Sequence, residues 1–286
     1  MMLASARAPL SRLARDIGTR LSHPRAIPLV YFTDIPNVGD LLNEYLIPRI
    51  AGRPVVKVRS AMLPHLRCIG SLLGSSSAAS DIWGSGSIDG AKPRRRLSRK
   101  NIHALRGTRT LDVVNRILDD DLTGLPLGDP ALLMPLFFLP PPARPHGIGI
   151  IPHFSDEDRI RHFLTQIKSG PFRVISVRQQ PEAFVSELCG CEAVFSSSLH
   201  GLILADAYGI ANKWITVSDK LLGGAFKFGD YYSMTDTPCE TAAEVAGAQA
   251  LADLLTRPER HCRVKAYAGS REALLSSFPA RYCRVT

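Results

Sequence analysis

The feature that most constrains the fold of this chain is a repeated alternation of short apolar runs with segments of helical spacing. Many of the apolar runs end in small residues, and a helix-forming segment follows. Strands that alternate with helices form parallel sheets of βαβ units, so the pattern predicts an α/β fold. The strand candidates are Ile27 to Phe32, Val55 to Val58, Leu66 to Ile69, Ile82 to Trp83, Ile102 to Leu105, Ile148 to Ile151, Phe172 to Val177, Ala193 to Phe195 and Lys213 to Val217. The helix candidates are Leu41 to Ile50, Thr108 to Leu118, Asp156 to Lys168, Pro181 to Leu188, His200 to Tyr208 and the tail from Ala242.

A proline-rich segment, Pro135 to Pro145, interrupts the alternation near the middle of the chain. Such a cluster is typical of a stiff linker, so we place the domain boundary there. The 286 residues suffice for two ordinary domains. We expect a basic segment at 1–25, a Rossmann-like domain at 26–140 and a second at 141–286. Their parallel sheets are expected to face a central cleft.

The net charge of +9, from 35 Lys and Arg against 26 Asp and Glu, favours anionic partners such as phosphates or lipid headgroups. The densest basic cluster, Lys92 to Lys100, has no aromatic residues between its charges, which argues against a single-stranded nucleic-acid platform. No apolar run is long enough to span a membrane, and Met1 to His23 lacks the apolar core of a signal peptide. We therefore expect a cytoplasmic protein that binds no nucleic acid.

The six cysteines contain no C-x-x-C pair, so the sequence supports neither a zinc ribbon nor a thioredoxin-type motif. We expect a reducing compartment and no structural disulfide. Asp119 to Asp121 follows a predicted helix and precedes a turn, which favours a solvated helix end over a metal site. No set of residues has convincing metal-ligand spacing, so no metal is expected.

The segment Ser196 to Gly201 carries the sharpest functional signal. Its three serines follow an apolar run, and His200 stands where the next helix begins. Ligands of open α/β sheets bind outside the carboxyl ends of the strands, and free N–H groups at a helix start attract anions. A histidine placed there can transfer a proton to a bound anion. A serine cap with a structural histidine is the alternative reading of the pattern.

Similar loops of small residues with one polar or charged group follow several other predicted strands. In two Rossmann-like halves, such loops indicate one cleft lined by strand ends from both domains. The loops are Asn37 to Asp40, Gly70-Ser71, Gly84 to Gly86, Arg106-Gly107, Gly128 to Pro130, and Pro152-His153.

In this order, Asn37-x-Gly-Asp40, Trp83-Gly-Ser-Gly86, Ala104-Leu-Arg-Gly107, Gly128-Asp-Pro130, Ile151-Pro-His153 and Ser197-Ser-Leu-His200-Gly resemble the polysaccharide pyruvyl transferases. Together with Phe226 to Tyr232, the set is most similar to the ketal-pyruvate transferases of bacterial exopolysaccharide assembly, the xanthan and succinoglycan type. The resemblance extends from about Tyr31 to Tyr232. It implies a GT-B-like fold and a transferase that uses phosphoenolpyruvate as donor and no cofactor.

The resemblance also implies the reaction and its partners. The enolpyruvyl unit would be transferred to two hydroxyls of one sugar, giving a cyclic pyruvate ketal and free phosphate. The implied acceptor is a lipid-diphosphate-linked oligosaccharide, which allows a peripheral contact with the inner face of the cytoplasmic membrane.

The family resemblance assigns His200 as general acid or base. It implies that Ser198, Leu199 and Arg106 contact phosphoenolpyruvate. Many relatives carry an arginine two positions before the histidine, where this chain has Ser198. Because a ligand with phosphate and carboxylate groups prefers cationic partners, other cations are expected to replace that arginine. The candidates are Arg106, Arg109, Arg178 and Lys227.

Weaker candidates complete the predicted site. Asp40 is either a base that orients a sugar hydroxyl or a helix cap, and His153 either contacts the ligand or makes a structural hydrogen bond. We interpret Asp129 as a turn residue before Pro130. The predicted catalytic residues are His200 and Asp40, and the predicted acceptor contacts are Asn37, Trp83 and His153.

Two other functions remain open at this point. A GT-B glycosyltransferase that uses a nucleotide sugar would share the fold, but the chain lacks the two Glu, eight positions apart, that many such enzymes carry. A non-enzymatic anion- or lipid-binding protein would explain the net charge of +9. The retained His200 argues against that second alternative.

Overall fold

The computed structural model describes residues 3–32, 34–142, 144–168, 170–218 and 223–284, and only the backbone of residues 3–10. Two five-stranded sheets form its frame, and every strand pairing within them is parallel. This confirms the predicted α/β class with two Rossmann-like sheets. The first sheet contains β1 (Ile27–Leu29), β2 (Val55–Lys57), β3 (His65–Arg67), β4 (Ser80–Trp83) and β5 (Ile102–Ala104); the second contains β6 (Ile148–Ile151), β7 (Phe172–Val174), β8 (Ala193–Ser196), β9 (Ala211–Thr216) and β10 (Ala243–Glu244).

The two sheets share one topology. The first has the order β2-β1-β3-β4-β5, and the second, read from β7, has the equivalent order β7-β6-β8-β9-β10. In the first sheet, successive strands are added on one side of β1 and then, from β3 onward, on the other side. The same switch occurs between β6 and β8 in the second sheet. Ligands of such sheets bind beyond the carboxyl ends of the strands at these switch points.

Five of the six predicted helical segments each contain one helix, whereas the tail from Ala242, predicted as helical, begins with β10 and is helical only in part. The α-helices are α1 (Leu3–Ser22), α2 (Val38–Ala51), α3 (Thr108–Leu118), α4 (Glu157–Leu164), α5 (Pro181–Cys189), α6 (Leu199–Ala207), α7 (Phe226–Tyr232), α8 (Ala248–Thr256) and α9 (Arg271–Ser276). Short 3-10 helices cover Leu73–Ser75, Arg99–Asn101, Pro130–Leu136, Pro258–Arg260 and Ala280–Tyr282. The helix predicted from Leu41 begins at Val38, because Asn37 Oδ1 accepts the N–H of Asp40 and caps the first turn.

The basic N-terminal segment forms α1, whose second half is anchored on the first domain. Asp16 is buried, and its carboxylate accepts the backbone N–H groups of Arg59 and Ser60. Leu21 remains exposed at the end of the helix. Across the described ranges, none of the helices has both the length and the apolar character of a membrane span.

One hydrophobic core connects the two sheets. It contains Leu29 and Leu42 of the first domain together with Val185 and Leu202 of the second. Two further hydrophobic clusters are separate from this core. One, in the first domain, includes Ile82 and Val113, and the other, in the second domain, includes Phe195 and Leu251. Each domain therefore has a hydrophobic cluster of its own in addition to the shared core.

The end of the chain returns to the first domain. Trp83 Nε1 donates to Leu274 O at 3.0 Å, Tyr282 Oη donates to Asp81 Oδ2 at 2.6 Å, and Arg284 N donates to Ala51 O at 2.9 Å. The predicted second domain at 141–286 therefore ends in a segment that packs against the first sheet. The short-range pattern of the tail does not show this, because the contacts join residues about 190 to 230 positions apart.

Candidate active site

The joint between β8 and α6 lies at the switch point of the second sheet. Ser197 Oγ accepts the N–H of His153 at 2.8 Å, which connects this joint to the end of β6. Ser196 Oγ accepts the N–H of Ser198 at 3.0 Å. The N–H groups of Leu199 and His200, the first in α6, have no acceptor among the described residues. Free N–H groups at a helix start are favourable for an anion.

His200 and Asp129 form a close pair without a hydrogen bond between them. His200 Nε2 lies 3.6 Å from Asp129 Oδ2, and both atoms are buried without a partner among the described residues. Asp129 is fully buried, and its Oδ1 accepts the N–H of Ala131 at 3.0 Å. Buried polar atoms without partners are rare in folded proteins and mark places where a ligand or a proton is expected.

The start of α2 faces the start of α6 across the domain boundary. Val38 N donates to Val177 O of the second domain at 2.7 Å. The ring of His200 lies so close to Gly39 that a Cβ at this position would overlap it. The two helix starts, one from each switch point, therefore meet around the imidazole of His200.

Asp40 lies in the first turn of α2, where Asn37 and not Asp40 is the helix cap. It is 8% exposed, its N–H is capped by Asn37, and its carboxylate accepts the side-chain amide of Asn37. Burial raises the pKa of Asp40 to about 6, and the nearby His200 and the bond from Asn37 oppose the increase. Asn37 is thus the cap of α2, and the Asp40 carboxylate is a buried group that interacts electrostatically with His200.

Arg106 is fully buried at the end of β5. Its Nε donates to Asp230 Oδ2 at 2.9 Å, Nη1 to Ser71 Oγ at 2.9 Å and Nη2 to Ser87 O at 2.6 Å. The guanidinium lies against Gly86, where a Cβ would overlap it. In this structure Arg106 joins the first domain to α7, and it presents no exposed surface to a ligand.

Lys227 lies near Arg106 and His153. Burial lowers the pKa of Lys227 to about 8, and the positive charge of Arg106 acts in the same direction. Burial also lowers the pKa of His153 to about 4, with a smaller contribution from Lys227. Within the described residues Lys227 makes no ion pair, so its ammonium group is a cation that an anionic ligand would stabilise.

The other predicted site residues lie in different places. Trp83 is fully buried in the core and donates its indole N–H to Leu274 O, so this geometry offers no support for acceptor contact. His153 Nδ1 is 2.7 Å from Ser155 Oγ. Arg109 and Arg178 are both exposed, and the guanidinium group of Arg109 packs against Gly229. Ser198 and Leu199 are buried at the start of α6.

The structure thus brings His200 together with Asp40 and Asn37, and it places Lys227 near Arg106 and near His153. The sequence interpretation of Asp129 as a turn residue is incomplete, because Asp129 also faces His200. A signal was available: Gly128 to Pro130 is one of the loops of small residues with a single charged group.

Two cavities, of about 300 and 430 Å³, open on other parts of the molecule, and no residue of the predicted site lines either. Around His200 the domains are packed closely, and 13% of that side chain is exposed. Among the described residues, no group of three or more His, Cys, Asp or Glu is arranged to hold a metal ion.

Comparison with known proteins gives two matches. Residues 83–219 match the model of a family described as polysaccharide pyruvyl transferase, which confirms the resemblance found in the sequence. The matched segment contains Arg106, Asp129, His153 and His200 and does not distinguish the xanthan and succinoglycan branch. The chain is also 29% identical over 221 residues to an uncharacterized protein of Acanthamoeba polyphaga mimivirus, covering 74% of this chain and 76% of that protein. No solved structure matches.

Proposed function

We propose that this protein is a polysaccharide pyruvyl transferase that moves pyruvate from phosphoenolpyruvate to two hydroxyls of one sugar, forming a cyclic ketal. The observation that carries the proposal is the position of His200, at the anion-attracting start of α6 and 3.6 Å from Asp129. Proton transfer beside a bound anion is what this reaction requires.

The donor is expected to bind between the start of α6 and α7. The N–H groups of Leu199 and His200 suit the phosphate or carboxylate oxygens of phosphoenolpyruvate. Lys227 supplies a positive charge that lacks an ion-pair partner among the described residues, and Arg106 lies near it. Lys227 therefore takes the role of the arginine that many relatives carry at the position of Ser198.

The reaction begins with a proton. Protonated His200 donates it to the methylene carbon of phosphoenolpyruvate, which turns that carbon into a methyl group and leaves a cationic centre at the neighbouring carbon. A sugar hydroxyl attacks this centre and loses its proton to a base. The bond to the phosphate oxygen then breaks, free phosphate leaves, and a second hydroxyl closes the ketal ring as it too loses a proton. The chemistry needs no cofactor beyond the donor.

The two carboxylates near His200 have separate roles in this proposal. Asp129 positions the imidazole and stabilises its protonated form, as a buried carboxylate does for a histidine acid. Asp40 accepts a proton from a sugar hydroxyl, and Asn37 and His153 contact the acceptor. In this assignment Asp129 is a positioning residue, and His200 and Asp40 touch the reacting groups.

The acceptor is a sugar of a lipid-diphosphate-linked exopolysaccharide repeat unit, reached in a GT-B-like cleft between the two domains. The net charge of +9 supports an encounter with an anionic lipid substrate at the inner face of the cytoplasmic membrane.

Donor binding is tested by the thermal midpoint of the purified protein with and without phosphoenolpyruvate. Ligand binding to the folded state raises the midpoint. We expect an increase in the wild type and in His200→Ala, and its loss in Lys227→Met. Arg257→Gln, which removes one positive charge from the end of α8, is the matched control and should respond like the wild type. A shift with nucleotide sugars and none with phosphoenolpyruvate would instead support a glycosyltransferase.

Turnover is tested with lipid-linked oligosaccharides as acceptors. Free phosphate and the mass of the acceptor are measured together, because ketal formation releases one phosphate for each pyruvate added. The proposal requires both signals in the wild type and neither in His200→Ala. Phosphate release without a mass gain on the acceptor would mean hydrolysis of the donor and would contradict ketal transfer.

A further inference from the structure

The cavity of about 300 Å³ lies at the opposite edge of the first sheet from the candidate active site. Its lining includes Ala26 just before β1, Arg53 before β2 and Pro64 before β3. Because the strands are parallel, residues that precede them share one edge, and His200 belongs to the loops that follow strands. The cavity is therefore a separate feature of the molecule.

Three arginines from distant parts of the chain converge on this cavity, Arg20 from α1, Arg53 before β2 and Arg281 from the C-terminal 3-10 helix. Arg53 donates from Nε and Nη2 to Arg25 O, at 3.1 and 3.0 Å, and Arg20 Nη2 donates to Pro64 O at 2.8 Å. Backbone carbonyls orient these two guanidinium groups without neutralising their charge.

Carboxylates near the cavity are already engaged. Arg281 pairs with Asp81, whose oxygens also accept from Tyr282 Oη and lie 2.9 Å from His103 Nε2. Among the described residues neither Arg20 nor Arg53 has a carboxylate within ion-pair distance. Asp16, one turn earlier in α1, interacts electrostatically with Arg20 beyond ion-pair distance. The three arginines therefore face two carboxylates, Asp16 and Asp81, and a net positive charge remains at the cavity.

One donor in the cavity wall has no partner. The Nε atom of Arg20 is buried and makes no hydrogen bond to a described residue. A buried donor without a partner is unfavourable, so a small shift of the Arg20 side chain that brings Nε to a ligand oxygen would be favourable. The apolar wall, formed by Pro24, Pro28 and Pro64, suits the carbon part of an ester.

We propose that Arg20, Arg53 and Arg281 form a second anion site, which binds the phosphate or diphosphate group of a small ester or of a lipid headgroup. Guanidinium groups bind phosphate oxygens through paired hydrogen bonds, and a cavity of about 300 Å³ has the size of a small-ligand pocket. The site is independent of the proposed donor site.

The test is calorimetric titration with inorganic pyrophosphate. We expect Arg20→Gln and Arg53→Gln each to weaken binding by about tenfold or more, the effect of losing one charged hydrogen bond. Arg59→Gln removes the same charge from an exposed neighbouring position outside the cavity and should bind like the wild type. Lys227→Met, in the candidate active site, should also leave this binding unchanged.

Clear outcomes would overturn the proposal. Equal affinity in the wild type, Arg20→Gln and Arg53→Gln would place pyrophosphate elsewhere, and loss of all binding in Lys227→Met would place it in the donor site. Absence of binding at millimolar pyrophosphate, together with no binding to vesicles, would also refute the site. If Arg53→Gln fails to fold, the result with Arg20→Gln decides, because the Arg20 side chain makes one hydrogen bond, to Pro64 O, among the described residues.

The source of the phosphate is distinguished with vesicles. Wild type and Arg20→Gln are sedimented with phosphatidylcholine vesicles with and without phosphatidic acid. Binding that requires phosphatidic acid, is lost in Arg20→Gln and is displaced by pyrophosphate identifies a lipid headgroup. Pyrophosphate binding without vesicle binding identifies a soluble ester.

Discussion

The imidazole of His200 rests on the backbone of Gly39, so the first turns of two helices from different domains meet at one ring. Gly39 follows the cap Asn37 in α2, and His200 is the second residue of α6. Any side chain at position 39 would occupy the space of the ring. The orientation of the candidate acid is therefore decided by a residue of the other domain.

Replacement of Gly39 by alanine should displace His200 and abolish transfer while the fold is retained. Alanine favours a helix over glycine by about 1 kcal/mol, which offsets part of the cost of the clash. Turnover and thermal unfolding of Gly39→Ala are compared with Gly18→Ala, whose new methyl group meets nothing within 4 Å. Full activity of Gly39→Ala would show that the ring position is not needed.

Asp129→Asn should lower kcat by about 10²-fold or more, with little change in KM for phosphoenolpyruvate. The asparagine keeps an oxygen for Ala131 N but removes the charge that faces His200. The pH profile of kcat should change as well, because the carboxylate no longer stabilises protonated His200. Asp112→Asn, on the exposed face of α3, is the control. If kcat and its pH profile do not change, Asp129 has no role in catalysis beyond its place in the turn.

Asp40 makes the stability of the protein depend on pH. Burial raises its pKa from 3.8 to about 6, so between these values the folded state binds more protons than the unfolded state. The free energy of unfolding therefore falls as pH rises through this window. Asp206, whose pKa burial also raises to about 6, adds a similar effect.

Asp40→Asn isolates the contribution of Asp40. The stability of this variant relative to the wild type should increase between about pH 4 and pH 7, by an amount on the order of 1–3 kcal/mol. Urea unfolding at a series of pH values measures the difference. A difference that is the same across this range would mean that Asp40 titrates equally in both states.

Arg106→Ala should destabilise the protein by about 3–5 kcal/mol, because it leaves the fully buried Asp230 without its partner. The double variant Arg106→Met with Asp230→Asn should recover part of the loss. Urea unfolding of both is compared with Arg109→Ala, an exposed position where we expect a change within about 0.5 kcal/mol. Equal loss in the single and double variants would show that the ion pair contributes little.

Local sequence pattern predicted much of the architecture. The segments Thr108 to Leu118 and Ile148 to Ile151 form a helix and a strand with the predicted ends, because helical spacing and short apolar runs depend on neighbouring residues. The segment from Ser196 to Gly201 likewise joins the end of a strand to the start of a helix. Helix ends were less predictable: α4 stops at Leu164, where the pattern extends to Lys168.

The pattern did not predict which side chains of the candidate site face one another. The sequence shows that a polar residue such as Arg106 follows a strand, but it does not show what that residue contacts. Arg106 pairs with Asp230 of α7, which is 124 positions away in the chain. The sequence likewise did not predict that Trp83 is buried, because its indole N–H donates to Leu274 O of the distant helix α9.

By itself the sequence determined the alternation of strands and helices, the parallel sheets and the identity of the polar residues at the strand ends, because these depend on local spacing and side-chain chemistry. Only the tertiary structure decided that Asp129 faces His200, that Gly39 makes room for its ring, and that the chain end returns to the first sheet. Such contacts depend on how two separately wound sheets pack together, and packing is governed by shape and burial across long sequence separations.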